Sequence, residues 1–173
     1  MVDGKERKQI AAKGGRASKQ GKVLEQTIIP TFQSRGFQHV PYSKWKKRPE
    51  NFGEELLLGN VPYTTIYGHR GYTEFLVKSV RFNLNHRIEC KWQQSGGSVD
   101  EKLPYLYLNC IEAIPENNII IVAGGGGMKK GAVPWLKTTV ECGHFLRGEY
   151  KKKNVQVFTL EEFLKWTNLV LAT

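Results

Sequence analysis

The sequence predicts an α/β domain built on a mixed central β-sheet with helices on both faces. The predicted elements follow the order αβββαβαβα, and the link over 82–85 is short enough to join two strands as an antiparallel hairpin. The apolar run over 118–123 is typical of a parallel strand buried on both faces. A chain of 173 residues with 40% hydrophobic content fits one globular domain. We therefore expect a basic flexible arm over 1–15 and a single domain over 16–173.

The first half of the chain is expected to form one helix and then strands. Apolar residues recur at helical spacing before Gly36, which suits a helix stop, and Pro30 predicts a kink or break in that helix. The three later strands are rich in β-branched and aromatic residues between turn formers. In chain order we expect a helix over 17–34, a short strand or loop over 37–42, an irregular segment over 49–60 and strands over 61–67, 72–80 and 86–93.

The second half alternates helices with strands. Pro104 must lie in the first turn of its helix, and the next helix is expected to begin near Pro134. Thr159 and Glu162 match the capping-box pattern, which predicts a terminal helix through Trp166. We expect a helix over 101–113, a strand over 118–123, a helix within 132–145, a strand over 155–158 and the terminal helix.

Positive charge is concentrated in the first third of the chain. The net charge is +10, and residues 1–48 carry twelve Lys or Arg against three acidic residues. Such asymmetry is typical of a surface that binds a polyanion, although a solubilising tail is an equal alternative for 1–20. A tryptophan among four cations in the loop over 43–49 can stack on a base. The predicted nucleic-acid-binding residues are Lys22, Lys44, Trp45, Lys46, Lys47, Arg48 and Arg70.

A carboxylate and an ammonium lie two residues apart on the strand over 86–93. Because side chains alternate along a strand, Glu89 and Lys91 share one face while Ile88 and Cys90 point to the other. Burial of the apolar face would leave Glu89 and Lys91 side by side in a cleft, where a buried charge is costly unless it binds metal or phosphate. By itself the pattern Glu-x-Lys is common, and on an exposed strand it is a solvated pair.

Hairpin geometry brings a second carboxylate to the same face. A turn centred between Asn83 and Leu84 would pair Glu74 with Gln93 and Leu76 with Lys91, and directly opposed residues share a face. A bulge or a register shift of two would bring Glu74 nearer to Glu89. Two close carboxylates repel unless a divalent cation lies between them, and oxygen ligands favour Mg²⁺, for which Mn²⁺ is a possible substitute. Lys91 would then orient the nucleophile or stabilise the transition state.

These residues and the element order resemble the PD-(D/E)XK nuclease superfamily, whose restriction-endonuclease-like fold has an αβββαβ core. The resemblance covers most of 16–123 and identifies Glu89 and Lys91 as the family's E-x-K motif. Glu74, fifteen positions earlier, matches its preceding acid, and Glu25 matches a further glutamate on its first helix. Gln93 extends the motif as polar residues do in several relatives. The usual first acid is aspartate, so a glutamate must serve here, or Glu54 or Glu55 serves instead.

The resemblance implies a Mg²⁺-dependent endodeoxyribonuclease. Glu74 and Glu89 would hold the metal, Lys91 and Gln93 would assist attack, and Glu25 would support the site. The substrate would be duplex or branched DNA, in a restriction-like, junction-resolving or prokaryotic phage or mobile-element role, and a homodimer is implied. An inactive nuclease-fold module that binds DNA is the alternative, and an RNA-directed enzyme or toxin is a third.

The remaining features predict no further site. Gly124–Gly127 lacks both glycine-rich phosphate-binding spacings, which favours a flexible strand-exit loop over a phosphate cradle. The three cysteines, an odd number without C-x-x-C spacing, are expected to be buried apolar residues. No transmembrane span, secretory signal or basic amphipathic helix is evident, so we expect a cytoplasmic protein that does not bind membranes.

Overall fold

The structure, a computed structural model, describes residues 24–172. Residues 24–33 are helical and are called α1. The strands are β1 (Gln38–Pro41), β2 (Leu56–Thr64), β3 (Arg70–Ser79), β4 (Leu84–Trp92), β5 (Asn118–Gly124) and β6 (Asn154–Phe158). The helices after α1 are α2 (Tyr42–Trp45), α3 (Leu103–Glu112), α4 (Ala132–Glu141) and α5 (Leu160–Val170), with short 3₁₀ turns at Pro49–Asn51, Asp100–Lys102 and Gly148–Lys152.

The six strands form one mixed sheet in the order β1-β2-β3-β4-β5-β6. The pairs β2–β3 and β3–β4 are antiparallel, whereas β1–β2, β4–β5 and β5–β6 are parallel. One face of the central strands packs in a core with α1 and α5, and the other face packs with α3 and α4. A third, smaller cluster lies under α2. This confirms the predicted α/β architecture with helices on both faces of a mixed sheet.

The β3–β4 hairpin differs from its expected register. The turn occupies 80–83, where Asn83 has a φ of +50° and donates its N–H to the Val80 carbonyl. Buried Leu84 already belongs to β4, so Leu76 pairs with Arg87 and not with Lys91. The displacement is four residues along β4. Because four is an even number, the predicted side-chain faces are preserved.

Other boundaries follow from local chemistry. Residues 56–60 are part of β2, which the prediction of an irregular segment over 49–60 missed, because Leu56–Leu58 are buried on a strand between β1 and β3. In α1 the helix continues through Pro30, whose carbonyl accepts the Ser34 N–H, and the turn that follows the helix closes at Gly36 with a φ of +88°. The predicted residues 17–23 of this helix and the predicted arm over 1–15 lie outside the described residues.

The terminal helix is confirmed together with its capping box. The Thr159 hydroxyl accepts the Glu162 N–H, and the Glu162 carboxylate accepts the Thr159 N–H. Cys90 and Cys110 are buried as predicted, but Cys142 is exposed, because it follows α4 on the solvent side. Within residues 24–172, none of the helices is apolar and long enough to cross a bilayer.

Candidate active site

Strand pairing is interrupted on both sides of Glu74. The β3–β4 ladder ends at the pair Phe75–Ile88, and its continuation would place Glu74 opposite Glu89. The Cys90 N–H, instead of continuing a backbone ladder, donates to Glu74 Oε2 at 2.7 Å. The Glu74 carboxylate therefore lies between two diverging strands, directly beside the E-x-K segment.

A second interruption lies across β3. Its ladder with β2 passes from the pair Gly59–Phe75 to the pair Val61–Thr73, and the residue between them in β2 is Asn60. Asn60 has a φ of +57°, a conformation uncommon outside glycine and tolerated best by Asn and Asp. Its position in the register is opposite Glu74. Regular β2–β3 pairing is therefore interrupted at the position opposite Glu74 and resumes on both sides of it.

Glu89 is buried beside Lys91. Its residue exposure is only 3%, and one carboxylate oxygen, Oε1, accepts a hydrogen bond from Lys91 Nζ. The other oxygen, Oε2, is buried without a hydrogen-bond partner among residues 24–172. The Lys91 side chain remains 26% exposed and reaches solvent. Ile88 and Cys90 point into the core on the opposite face, so the predicted alternation is confirmed.

The two carboxylates perturb each other strongly. Burial, and then the charge of Glu74, raises the pKa of Glu89 to about 8, although Lys91 opposes both effects. Burial alone would lower the pKa of Lys91, but Glu89 and Glu74 together outweigh it and the pKa is raised. Lys91 is therefore a cation at neutral pH. In the metal-free protein burial and the charge of Glu74 favour the protonated form of Glu89, because the ionised form would be a second negative charge in a buried site.

The residues at this site fit a hard divalent cation. A buried carboxylate oxygen without a partner leaves a strong acceptor unsatisfied, and Glu74 is close enough to share a ligand with Glu89. No cluster of three or more His, Cys, Asp or Glu side chains suited to a metal occurs in the described part of the chain. Mg²⁺ does not require one, because it is commonly bound through one or two carboxylates together with waters and substrate phosphates.

Glu25 lies at the edge of this site. It lines a cavity of about 390 Å³ together with Glu74, and its negative charge is one of the influences that raise the pKa of the Cys90 thiol, after burial, Glu74 and Glu89. The first-helix glutamate expected from the sequence is thus near the predicted carboxylate pair.

Gln93 is held by backbone groups. It is buried, its Oε1 accepts the Val99 N–H at 2.8 Å, and its Nε2 donates to the Gly127 carbonyl at 2.6 Å. The bond to Gly127 links the end of β4 to the glycine-rich loop over 125–127 that follows β5. At Gly125, where φ is +105°, a Cβ atom would lie 2.1 Å from the Gln93 carbonyl oxygen. The glycines therefore permit a close backbone contact in a strand-exit loop.

Most of the predicted nucleic-acid-binding residues that the structure describes are exposed to solvent, and one of them packs against the core. Five of them are exposed: Lys44, Lys46, Lys47, Arg48 and Arg70. Trp45 is half-buried at the end of α2, where its indole packs on the third core cluster and Lys78 Nζ lies 4.9 Å from its ring centre. Part of the expected loop over 43–49 is therefore helical. Arg70 is exposed at the start of β3, and Lys22 lies outside the described residues.

Glu54 and Glu55 precede β2, at the opposite end of that strand from Thr64. Glu55 Oε1 accepts the Arg81 N–H in the β3–β4 turn at 3.2 Å. Asn60, the β2 residue beside Glu74, is five positions further along, or roughly 16 Å at the usual rise of a strand. The structure therefore brings Glu74, and neither of these glutamates, to the E-x-K segment.

Sequence reasoning missed two residues of this region. Tyr63 in β2 has its pKa raised to about 12, first by burial and then by the charge of Glu89, which places the phenol close to the site. His39 in β1 lines the same cavity as Glu74, and burial lowers its pKa. Neither residue belongs to a motif. Their proximity follows from the pairing of β1, β2 and β3, which no local pattern specified.

The sequence model of the PD-(D/E)XK nuclease superfamily domain matches residues 16–171. Searches of curated proteins and of solved structures found no match to the chain.

Proposed function

The chain belongs to the PD-(D/E)XK nuclease superfamily, and on that premise we propose that it is a Mg²⁺-dependent endodeoxyribonuclease. The observation that carries this proposal is the buried Glu89 carboxylate, which has one oxygen on Lys91 and the other without a partner among the described residues, next to Glu74. Two carboxylates held together in a buried site repel unless a proton or a divalent cation lies between them.

Glu74 and Glu89 would hold Mg²⁺, or Mn²⁺ in its place. The bound ion would supply an activated water and neutralise charge on the phosphate. Glu74 is positioned for this by the Cys90 N–H, which fixes one of its oxygens at 2.7 Å. Glu89 is positioned by its strand, which is buried between β3 and β5 and allows its side chain little freedom.

Lys91 would act on the phosphate. Its ammonium is cationic at neutral pH, is held at the Glu89 carboxylate and is partly open to solvent, so it can contact a phosphodiester that approaches from outside. A cation fixed beside the reacting phosphate stabilises the negative charge that develops in the transition state, or orients the attacking water.

Glu25 and Gln93 would support the site from its two sides. Glu25 adds negative charge at the cavity that it shares with Glu74. Both polar ends of the Gln93 side chain are bound to backbone groups, which favours a positioning role in which Gln93 fixes the end of the strand that carries Glu89 and Lys91.

The substrate that we propose is DNA, duplex or branched. The exposed cations Lys44, Lys46, Lys47, Arg48 and Arg70, together with Lys22, would bind its phosphates, and Trp45 would contribute to the same surface. A homodimer, implied by the resemblance, would let two sites cut two strands.

The experiment is incubation of plasmid, linear and four-way-junction DNA with the protein, with Mg²⁺ or with EDTA. Wild-type protein is expected to cut at least one of these DNAs only when Mg²⁺ is present. Lys91→Ala should lower the rate by about 10²–10³-fold, which is the usual effect of removing one group that stabilises transition-state charge. Lys165→Ala is the matched control, because Lys165 is an exposed lysine on α5 whose ion pair is with Glu161.

Each alternative has its own signature in this experiment. DNA binding that is unchanged by EDTA, without any cleavage, would identify an inactive nuclease-fold binding module. Cleavage of RNA and not of DNA would identify an RNA-directed enzyme. Equal cleavage by wild type and Lys91→Ala would refute the assignment of the site.

A further inference from the structure

Two cavities meet beside Glu74. The first, called the acidic cavity, has a volume of about 390 Å³ and is lined in part by Glu25, His39, Asn60, Tyr72 and Glu74. The second, called the basic cavity, has a volume of about 350 Å³ and is lined in part by Tyr42, Lys46, Lys47, Asn60, Arg70 and Tyr72. Asn60 and Tyr72 belong to both. The two cavities therefore border each other at these two residues.

The junction of the cavities coincides with the interruption in β2. Asn60 adopts its left-handed conformation at the position opposite Glu74, between two stretches of otherwise continuous β2–β3 pairing. Non-glycine residues in this conformation are uncommon and cluster at functional sites and ligand contacts. The backbone of β2 is thus displaced from regular pairing at Asn60, the β2 residue that lines both cavities.

The chemistry of the basic cavity suits one nucleotide. Its charged lining residues are Lys46, Lys47 and Arg70, and among the described residues its lining includes neither Asp nor Glu. Tyr72 is 42% exposed, and the Arg70 guanidinium carbon lies 5.1 Å from the centre of its ring. Cations beside an exposed aromatic ring match a phosphate followed by a base. The volume lies in the range of a small-ligand pocket and is too small for a duplex.

We propose that the basic cavity binds one unpaired nucleotide of the DNA strand that is cut. The base would stack on Tyr72, the flanking phosphates would contact Lys46, Lys47 and Arg70, and the adjoining phosphodiester would lie at Glu74 and Glu89. The substrate class is then DNA with an unpaired segment next to the cut, such as an overhang, a flap or an open branch point. This inference rests on the proposed nuclease function and specifies its substrate.

The test measures binding in EDTA, so that it does not depend on cleavage. A fluorescently labelled blunt duplex is compared with the same duplex that carries a single-stranded overhang. Wild-type protein should bind the overhang DNA about tenfold more tightly, which is the size of effect that stacking of one base produces. Tyr72→Ala should weaken binding of the overhang DNA to about the level of the blunt duplex and so abolish this preference, whereas Tyr72→Phe should retain it.

Tyr67→Ala is the matched control. Tyr67 is more exposed than Tyr72, at 69%, but it stacks on Tyr105 outside the cavity lining, so its loss should not alter the preference. Equal affinity of the wild type for both DNAs, or an equal loss for both in Tyr72→Ala, would overturn the proposal and indicate phosphate contacts alone.

A second measurement uses wild-type protein and does not depend on the folding of any variant. With 2-aminopurine as the unpaired base, stacking on Tyr72 should quench its fluorescence on binding, and the same base placed inside the duplex should change little. Unchanged fluorescence of the unpaired base in the bound state would contradict the proposal. If overhang preference and quenching are found but no DNA is cut with Mg²⁺, the substrate inference stands and the proposed catalytic activity fails.

Discussion

Binding of Mg²⁺ should depend steeply on pH because Glu89 must lose a proton to become a ligand. With a pKa of about 8 in the metal-free protein, Glu89 is about 1% ionised at about pH 6 and about 90% ionised at about pH 9. The apparent affinity for Mg²⁺ should therefore rise about tenfold per pH unit below about pH 8 and level off above it. Isothermal titration calorimetry in two buffers of different ionisation enthalpy measures the proton released on binding.

At neutral pH we expect the wild type to release about one proton for each Mg²⁺ bound. Glu89→Gln has the same shape but cannot ionise, so it should bind Mg²⁺ weakly and without proton release. Release of no proton by the wild type, with an affinity that does not change between about pH 6 and pH 9, would refute the coupling between burial of Glu89 and metal binding.

The stability of the metal-free protein provides an independent check on the direction of the Glu89 pKa shift. The pKa of Glu89 lies above its ordinary value of 4.5, so between about pH 4.5 and pH 8 the folded state binds more protons than the unfolded state. The free energy of unfolding should thus decrease as the pH rises through this window. Urea unfolding in EDTA measures it, and Glu89→Gln should show a flatter dependence. A wild type that gains more stability than Glu89→Gln across the window would contradict this sign.

The remaining predictions concern the free energy of unfolding, and each is measured by urea or thermal unfolding. Gly125→Ala should destabilise the protein by about 3 kcal/mol, because the new Cβ would meet backbone and φ is +105°, whereas Gly126→Ala, with its nearest contact at 4.0 Å, should cost less than about 0.5 kcal/mol. Arg87→Met should cost about 3 kcal/mol because it leaves Glu116, whose side chain is only 14% exposed, without its partner, and a smaller cost for the single change than for loss of both residues would count against this. Thr159→Ala should cost about 1 kcal/mol through loss of the helix cap, and an unchanged stability would show that the cap contributes nothing.

The alternation of side chains between the two faces of a strand could be predicted from the sequence, because it depends only on local backbone geometry. Ile88 and Cys90 had to face a core, so Glu89 and Lys91 had to share the other face. The proximity of Glu74 to Glu89 also agrees with the prediction, although the predicted pairing was wrong. The true register differs by an even number of residues, and only an odd shift would have moved Glu74 to the opposite face.

The shape of the opening at the site could not be predicted, because it depends on contacts between distant segments. The Glu74 carboxylate takes the Cys90 N–H where a backbone ladder would otherwise continue, and that depends on where β3 leaves β4. The left-handed conformation of Asn60 has the same origin, since Asn tolerates it but does not require it. Tyr63 comes close to Glu89 only through the pairing of β2 with β3.

Trp45 shows a different reason why a site residue could not be predicted from the sequence. Its position among four cations suggests an aromatic ring that stacks on a base, but the sequence alone does not show whether the ring is exposed or packed against the protein. In the fold the indole packs on the core beneath α2 with Lys78 beside its ring, while Tyr72, which lies in no basic run, is the more exposed aromatic residue near the carboxylates. Packing partners decide such cases, and they come from other parts of the chain.

The most direct test of the central claim is anomalous diffraction from crystals of the protein that contain Mn²⁺, at a pH above the pKa of Glu89. We expect a peak between the carboxylates of Glu74 and Glu89, with Glu89 Oε2 as one of the ligands. Absence of a peak at this position, with Mn²⁺ bound elsewhere or not at all, would contradict the assignment of these residues as a metal-dependent nuclease site.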